Sequence, residues 1–235
     1  MVGWHEGKGR LRIPDHYLRR PAAWQASDVA DFERLFAEQV SPGTGAGIQY
    51  QLAAPKWQFM CWMTESKNVV LHGGNGSKPD TLEPRQADDI SEFGARNAVY
   101  AASDGIWPMY FAIADRTVVT SLVNACVHLH DNQVDANHYY FFSINQDAMT
   151  SQPWVTGRVY VLSRDTFESE AEDTWQGWRR VPTHWASHVP VRPMASLTVT
   201  PGDFPFLKQV RLHDQQVVSH RAAQDPDNFP WLDGA

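Results

Sequence analysis

The sequence has little cysteine and no long apolar run. Its 235 residues include two cysteines, Cys61 and Cys126, each flanked by apolar neighbours, a setting typical of buried hydrophobic side chains and not of a disulfide framework. No apolar stretch approaches the roughly 20 residues needed to cross a bilayer. The first residues also lack the charged-then-apolar pattern of a secretory signal. We therefore expect a cytoplasmic protein without a membrane partner.

Positive charge is also scarce. The chain carries 20 Lys and Arg against 27 Asp and Glu, a formal net charge of −7, which argues against duplex binding driven by phosphate neutralisation. The sequence contains no Gly-x-Ser-x-Gly, no P-loop spacing and no Gly-x-Gly-x-x-Gly after a strand. These absences exclude the corresponding hydrolase, nucleoside-triphosphatase and dinucleotide-fold signatures.

Several histidines lie close together in the sequence, but their spacing gives little support for a metal site. His128 and His130 lie two apart, so on a strand they share a face, and Asp131 and His138 follow. No further ligand spacing typical of a zinc site is present. The sequence therefore predicts no metal site.

What is present indicates one globular α+β domain. Hydrophobic residues make up 43% and charged residues 20% of the chain, as in soluble folded proteins. Helical periodicity comes first: one helix is predicted from Ser27 or Asp28 through Phe36, and an apolar one from Pro55 to about Ser66. Residues 1–66 therefore form an N-terminal arm and helices, and residues 67–220 a β core.

The β core is predicted from short apolar and β-branched runs. Helices first and strands later, without regular βαβ alternation, favour α+β over a doubly wound fold. Further strands are predicted over 117–122, 125–129, 138–144, 158–163 and 208–212. The run 189–199, interrupted by Pro190 and Pro193, is predicted as an edge strand or a bent one, and residues 168–173 as an acidic surface loop.

The stretch from Val69 to Asn75 is the first with a functional pattern. A β-branched run ends in His72, which is followed by Gly73 and Gly74. This pattern is typical of a buried strand that feeds a tight loop. Glycines there would let a flat ligand approach the main chain closely. The alternative interpretation is an ordinary turn after a strand, with His72 hydrogen-bonded in the core.

A second segment strengthens the functional interpretation. A short strand centred on Tyr100 is followed by Ser103 and Asp104, either of which can cap a helix. Pro108 then falls in the first turn of that helix, where its missing N–H costs least. The helix is expected to bring Tyr110 near Tyr100.

His-Gly on one strand, and a tyrosine strand before a capped helix, resemble the ADP-ribosyltransferase fold of the diphtheria-toxin and poly(ADP-ribose) polymerase type. The resemblance covers residues 71–114. It implies a split, mixed or antiparallel β core that binds NAD as substrate. It also implies that His72 and Gly73 hold the nicotinamide half, that Tyr100 stacks on the nicotinamide ring, and that Tyr110 closes the other face.

The long polar interval 74–96 lies between the two motifs, and loops of this length are often functional. In the resembled family this interval contacts the adenosine side. Asn75 and Arg85 are therefore candidates for NAD phosphates or ribose, although either could be a solvated loop residue. Gly74 and Ser103, beside the motifs, complete the predicted NAD contacts.

The third catalytic position departs from the resembled family. That family commonly places a glutamate on a later strand, where a carboxylate stabilises an oxocarbenium-like transition state. The matching stretch here, residues 183–191, has no glutamate. His184 is the nearest equivalent and His188 the second choice, while the alternative is that His184 is a surface histidine beside Trp185. His72, Tyr100 and His184 are thus the predicted catalytic residues.

The resemblance implies a mono-ADP-ribosyltransferase, toxin-like, that transfers ADP-ribose from NAD to a macromolecular acceptor, protein or nucleic acid, and releases nicotinamide. A toxin-like enzyme would also have an antitoxin or immunity partner. Two alternatives stay open. One is an NAD-dependent RNA 2′-phosphotransferase, a relative that also lacks the glutamate, and the other is a binding module that kept the pocket and lost the chemistry.

Overall fold

The computed structural model describes residues 13–76, 79–86, 92–131, 134–175 and 178–232. Within these ranges the fold is mixed α+β, with four α-helices and two mostly antiparallel sheets. The start of the predicted N-terminal arm, and parts of the loop predicted over 74–96, lie outside the described residues. None of the described helices combines the length and the apolar character required to cross a membrane.

The secondary structure follows the chain in this order. The helices are α1 (Val29–Gln39), α2 (Lys56–Ser66), α3 (Trp107–Ile113) and α4 (Gln215–Gln224). The strands are β1 (Leu18–Arg19), β2 (Ala46–Gly47), β3 (Val69–Gly74), β4 (Arg85–Gln86), β5 (Asn97–Ala102), β6 (Leu122–Asp131), β7 (Val134–Asn145), β8 (Gly157–Ser163), β9 (Glu168–Ser169), β10 (Asp173–Trp175), β11 (Trp178–Val181), β12 (His184–Ser187), β13 (Ala195–Val199) and β14 (Arg211–His213).

The larger sheet carries both sequence motifs. Its described strands run in the order β2-β13-β8-β3-β5-β12-β9, with β4 also paired to β5. Strand β3 pairs with β8 along its whole length, from Val69 opposite Ser163 to Gly74 opposite Arg158. Strand β12 pairs antiparallel with β5 and places His184 opposite Ala102. The histidine strand, the tyrosine strand and the His184 strand are therefore consecutive in one sheet.

The smaller sheet is built on the long hairpin of β6 and β7. Strand β6 pairs with β7 and β11, while β1 and β14 both pair with the other edge of β7. Two strands were predicted over 117–122 and 125–129, but one strand runs through from Leu122 to Asp131. Residues 116–118 form a turn instead of a strand, and Asn124 continues the β6 ladder opposite Phe142, so the two predicted runs merge into one strand that starts later.

Two other strands are shorter in the structure than predicted. The strand predicted over 189–199 begins only at Ala195, because Pro190 and Pro193 lack the N–H that a ladder needs. The strand predicted over 208–212 is replaced at its start by a 3₁₀ turn. The acidic surface loop predicted over 168–173 instead contains β9 and the start of β10.

The first two helices fall close to their predicted limits. Helix α1 buries Phe32 and Leu35 and exposes its polar face, as its periodicity requires. Helix α2 begins after Pro55 and is buried nearly all round, with Phe59, Met60 and Met63 inaccessible to solvent. An apolar helix of this kind belongs inside the core.

Helix α3 is seated directly on the larger sheet. A Cβ added to Gly73 of β3 would lie 1.9 Å from the Pro108 carbonyl oxygen, and one added to Gly157 of β8 would lie 1.8 Å from the Ala112 carbonyl oxygen. The helix also reaches the smaller sheet, where Tyr110 packs on Phe142. The two glycines therefore set how closely α3 approaches β3 and β8.

Candidate functional site

Strands β3 and β5 separate beside the predicted histidine. Their backbone register includes one pair in the described residues, Leu71 opposite Ala102. Beyond it the imidazole of His72 replaces the ladder, because its Nδ1 lies 2.7 Å from the carbonyl oxygen of Tyr100. The sheet therefore opens at the point where the two sequence motifs face each other.

This hydrogen bond fixes the tautomer of His72. A carbonyl oxygen only accepts, so Nδ1–H donates to Tyr100. Burial lowers the pKa of His72, against the opposing effect of this hydrogen bond, and nearby Arg85 lowers it further. The ring is therefore neutral near pH 7, and Nε2 carries a lone pair. Nε2 has no partner among the described residues, so it can accept a hydrogen bond from a ligand hydroxyl.

A cavity of about 630 Å³ lies at this opening. Pockets of this size are typical of small-molecule sites. Its described walls come from β3, β5, α3, β6, β12 and α4, and the lining residues include Leu71, His72, Gly73, Gly74, Asn75, Gly94, Tyr100, Trp107, Pro108, Phe111, Arg116, Thr120, Ser121, Asn124, His184, Gln215 and Ser219. The structure thus brings the three predicted catalytic residues, here called the cavity group (His72, Tyr100 and His184), to one cavity.

Tyr100 and His184 are neighbours in the cavity group. Their ring centroids lie 4.9 Å apart, because β12 runs antiparallel beside β5. The Tyr100 hydroxyl accepts from the backbone N–H of Arg96 and donates to the carbonyl oxygen of Phe93. The hydroxyl therefore holds the 93–96 turn, which leaves the ring as the part of Tyr100 suited to a ligand.

Helix α3 contributes aromatic side chains to the cavity wall, but Tyr110, the predicted one, is not among them. Tyr110 is fully buried, and its hydroxyl donates to the Ser143 carbonyl oxygen at 2.8 Å. It does not line the cavity, so the expectation that it closes over Tyr100 is corrected. Trp107 and Phe111 line the wall instead, since each helical residue turns about 100° from the last. Their i, i+4 spacing was the available sequence signal.

The remaining predicted NAD contacts divide into two groups. Gly74 and Asn75 line the cavity, and the Asn75 amide donates to the Ala114 carbonyl oxygen. Gly73 also lines it, but the missing side chain of Gly73 makes room for α3, not for a ligand. Arg85 is exposed on β4 and Ser103 donates to the Pro182 carbonyl oxygen, so neither lines the cavity.

A second histidine site, the buried cluster (Asp104, His128, His138 and Tyr140), lies below α3. Asp104 Oδ2 accepts from the Tyr140 hydroxyl at 2.7 Å and lies 2.9 Å from His128 Nε2. Asp104 Oδ1 accepts from the N–H groups of Ile106 and Trp107 at the start of α3. The prediction of a cap at Ser103 or Asp104 is met by Asp104.

The buried cluster has the composition of a metal site but not the open ligand atoms. One ligand atom from each of Asp104, His128 and His138 lies within 4.8 Å of the others. However, His138 Nδ1 lies 3.0 Å from an Arg20 guanidinium nitrogen, and Asp104 is already hydrogen-bonded on both oxygens. A cation would have to displace these donors. We therefore treat the cluster as a hydrogen-bonded support for α3.

Carboxylates stay away from the cavity wall. Among the described residues, no Asp or Glu lines the cavity. Glu168 on β9 is paired with Arg96 and His188 outside it. The ring that β12 places beside Tyr100 is the His184 imidazole.

Part of the wall came from residues that sequence reasoning missed. Asn124, Arg116 and Ser121 come from β6 and the connection before it, and Gln215 opens α4. No local motif marks these residues, because they meet the others only through pairing distant along the chain. Comparison with protein-family models, curated proteins and solved structures finds no match for this chain. The functional conclusion therefore rests on the cavity.

Proposed function

We propose that the protein is an NAD-dependent mono-ADP-ribosyltransferase with an ADP-ribosyltransferase-type β core. It transfers ADP-ribose from NAD to a macromolecular acceptor and releases nicotinamide. The observation that carries the proposal is the convergence of His72, Tyr100 and His184 from three consecutive strands on one cavity. The sequence resemblance points to the same three residues.

The cavity offers the groups that bind the nicotinamide ribosyl half of NAD. The ring of Tyr100 provides a face for the flat pyridinium ring, and Trp107 and Phe111 provide aromatic surface on α3. The lone pair on His72 Nε2 accepts a hydrogen bond from a ribose hydroxyl. Together these contacts orient the glycosidic bond toward His184.

The proposed chemistry breaks the bond between ribose C1′ and the nicotinamide nitrogen. Nicotinamide leaves with the bonding electrons, and an acceptor nucleophile forms the new bond to C1′. In the described wall no carboxylate stabilises the positive charge that develops on the ribose. We assign His184 the role of accepting a hydrogen bond from the ribose or the proton of the acceptor.

A binding module without chemistry is the second candidate. The observation that favours it is the same lack of a carboxylate in the described wall. Binding and release separate the two candidates: a module binds NAD and leaves it intact, whereas an enzyme releases nicotinamide. Supplying proteins and nucleic acids as acceptors tests whether release depends on a second substrate.

The first test is NAD binding followed by nicotinamide release. Calorimetry and thermal melts should show binding and a raised melting temperature, since a ligand of the folded state stabilises it. Chromatography should then detect free nicotinamide. His72→Ala should weaken binding, while His130→Ala, on an exposed histidine of β6 outside the cavity, serves as the matched control. Absence of NAD binding at millimolar concentration contradicts the proposal.

A further inference from the structure

A hydrogen-bonded relay lies behind the wall near α4. His213 Nε2 is 2.9 Å from Ser121 Oγ, which lines the cavity, and His213 Nδ1 is 2.8 Å from Ser143 Oγ. Ser143 and His213 are buried, at 0% and 4% exposure. The relay therefore connects an enclosed hydroxyl to one at the cavity surface.

Burial determines which group donates each hydrogen bond in this relay. The Ser143 hydroxyl is sealed from water, and the acceptor within its reach in the described chain is His213 Nδ1, so Ser143 donates. Burial also lowers the pKa of His213 to about 4, which keeps the ring neutral near pH 7. The ring proton is then on Nε2 and is donated to Ser121 Oγ. The Ser121 hydroxyl proton is left for an acceptor outside the relay.

The neighbouring wall residues present donors as well. Asn124 Oδ1 accepts from Trp107 Nε1, and Gln215 Oε1 accepts from the Thr120 hydroxyl, so both amide NH₂ groups are left without an acceptor among the described residues. The exposed guanidinium of Arg116 has no hydrogen-bond or ion-pair partner in the described part of the chain. No acidic side chain of the described wall opposes them.

We propose that this part of the cavity, formed by Arg116, Ser121, Asn124 and Gln215, is a phosphate-binding subsite. A phosphate group offers only acceptor oxygens and negative charge, which matches a wall of donors with one arginine. The assignment deepens the proposed function, because NAD carries a diphosphate. It rests on that function only for the source of the phosphate, which could also be free phosphate or pyrophosphate.

The experiment is calorimetric binding of NAD, nicotinamide riboside, ADP and inorganic pyrophosphate to the wild-type protein and variants. Arg116→Gln should weaken NAD, ADP and pyrophosphate binding by about 10- to 100-fold, the scale of one charge-assisted hydrogen bond. It should leave nicotinamide riboside binding unchanged. Ser121→Ala should weaken the same three ligands less, because it removes an uncharged donor.

Arg192→Gln is the charge-matched control, since Arg192 is exposed and outside the cavity. Competition between pyrophosphate and NAD identifies the NAD diphosphate as the occupant, while simultaneous binding identifies a separate phosphate. Competition requires that NAD and pyrophosphate both depend on Arg116, whereas simultaneous binding requires that pyrophosphate depends on Arg116 and NAD does not. Equal binding of phosphate ligands to wild type, Arg116→Gln and Ser121→Ala overturns the subsite.

Failure of the subsite and failure of the proposed function are distinguishable. If nicotinamide riboside binds but the phosphate ligands gain nothing from Arg116, the subsite is wrong and the function stands. If ADP binds through Arg116 while nicotinamide riboside does not bind, the subsite stands and the function is wrong.

Discussion

The cavity group and the buried cluster contain similar side chains but have different roles. In the buried cluster, the Asp104 carboxylate is engaged on both oxygens by His128, Tyr140 and the start of α3. In the cavity group, His72 uses one nitrogen to replace a missing strand pairing and leaves Nε2 without a partner among the described residues. The role of a histidine cluster is therefore better judged from which of its nitrogen and oxygen atoms lack a hydrogen-bond partner than from its residue types.

The largest expected effect breaks the buried cluster. Asp104→Ala removes the acceptor for two backbone N–H groups and two buried side chains, so we expect the free energy of unfolding to fall by about 3 kcal/mol or more. Chemical denaturation measures it, and exposed Asp147→Ala is the control. Asp104→Asn should lose less, because its amide oxygen still accepts. An unchanged denaturation midpoint for Asp104→Ala would mean that the cluster does not support α3.

The next effect concerns catalysis by the cavity group. His184→Ala should lower the rate of nicotinamide release by about 10²-fold, the usual scale for a positioned acid–base group. NAD affinity should change far less, because other strands supply the nicotinamide contacts. His130→Ala, on an exposed histidine outside the cavity, is the control. Full activity of His184→Ala, with an essential Glu168, Glu170 or Glu172, would show that the acidic segment supplies the third catalytic residue.

A smaller effect separates the ring of Tyr100 from its hydroxyl. Tyr100→Ala should cost roughly 1–3 kcal/mol of NAD binding free energy, by analogy with base–aromatic stacking. Tyr100→Phe should retain most of that affinity but lose about 1 kcal/mol of stability, since the hydroxyl bonds to the 93–96 turn. Calorimetry and denaturation report the two quantities. Equal NAD binding by Ala and wild type would make Tyr100 a packing residue only.

The smallest effect is a pH dependence of stability that comes from enclosed histidines. Burial lowers the pKa of His138 to about 2 and that of His213 to about 4. Because both values lie below the unfolded pKa near 6.5, the unfolded chain takes up protons first. The stabilisation is present above about pH 6.5 and declines as the pH falls toward 4.

Denaturation at pH 7 and pH 6 measures this effect. For each such histidine, the free energy of unfolding should fall by about 0.7 kcal/mol from pH 7 to pH 6. His213→Asn should reduce the slope, whereas the exposed His220→Asn should not. A slope that His213→Asn leaves intact would show that His213 does not contribute to it.

Local patterns predicted the strands of His72 and Tyr100 because an apolar run with a following glycine or cap has few alternatives. They misplaced Tyr110, since a shift of one residue around a helix exchanges the core face for the cavity face. They placed Gly73 at the cavity but did not reveal its contact with α3, because sequence alone does not show which backbone will pack against it. The wall near Arg116 and Gln215 could not be predicted, because it forms only when the two sheets and α4 come together.

The close packing of α3 on Gly73 and Gly157 limits how the cavity can be redesigned. Main-chain atoms of the helix touch the strands at both glycines, so no substitution of a neighbouring side chain can bring α3 closer. Any larger residue at either glycine would push the whole helix outward. The width of the cavity is therefore adjustable chiefly through Trp107 and Phe111, whose side chains can be shortened while the backbone of the wall keeps its place. An engineered preference for a bulkier ligand should start from these two positions.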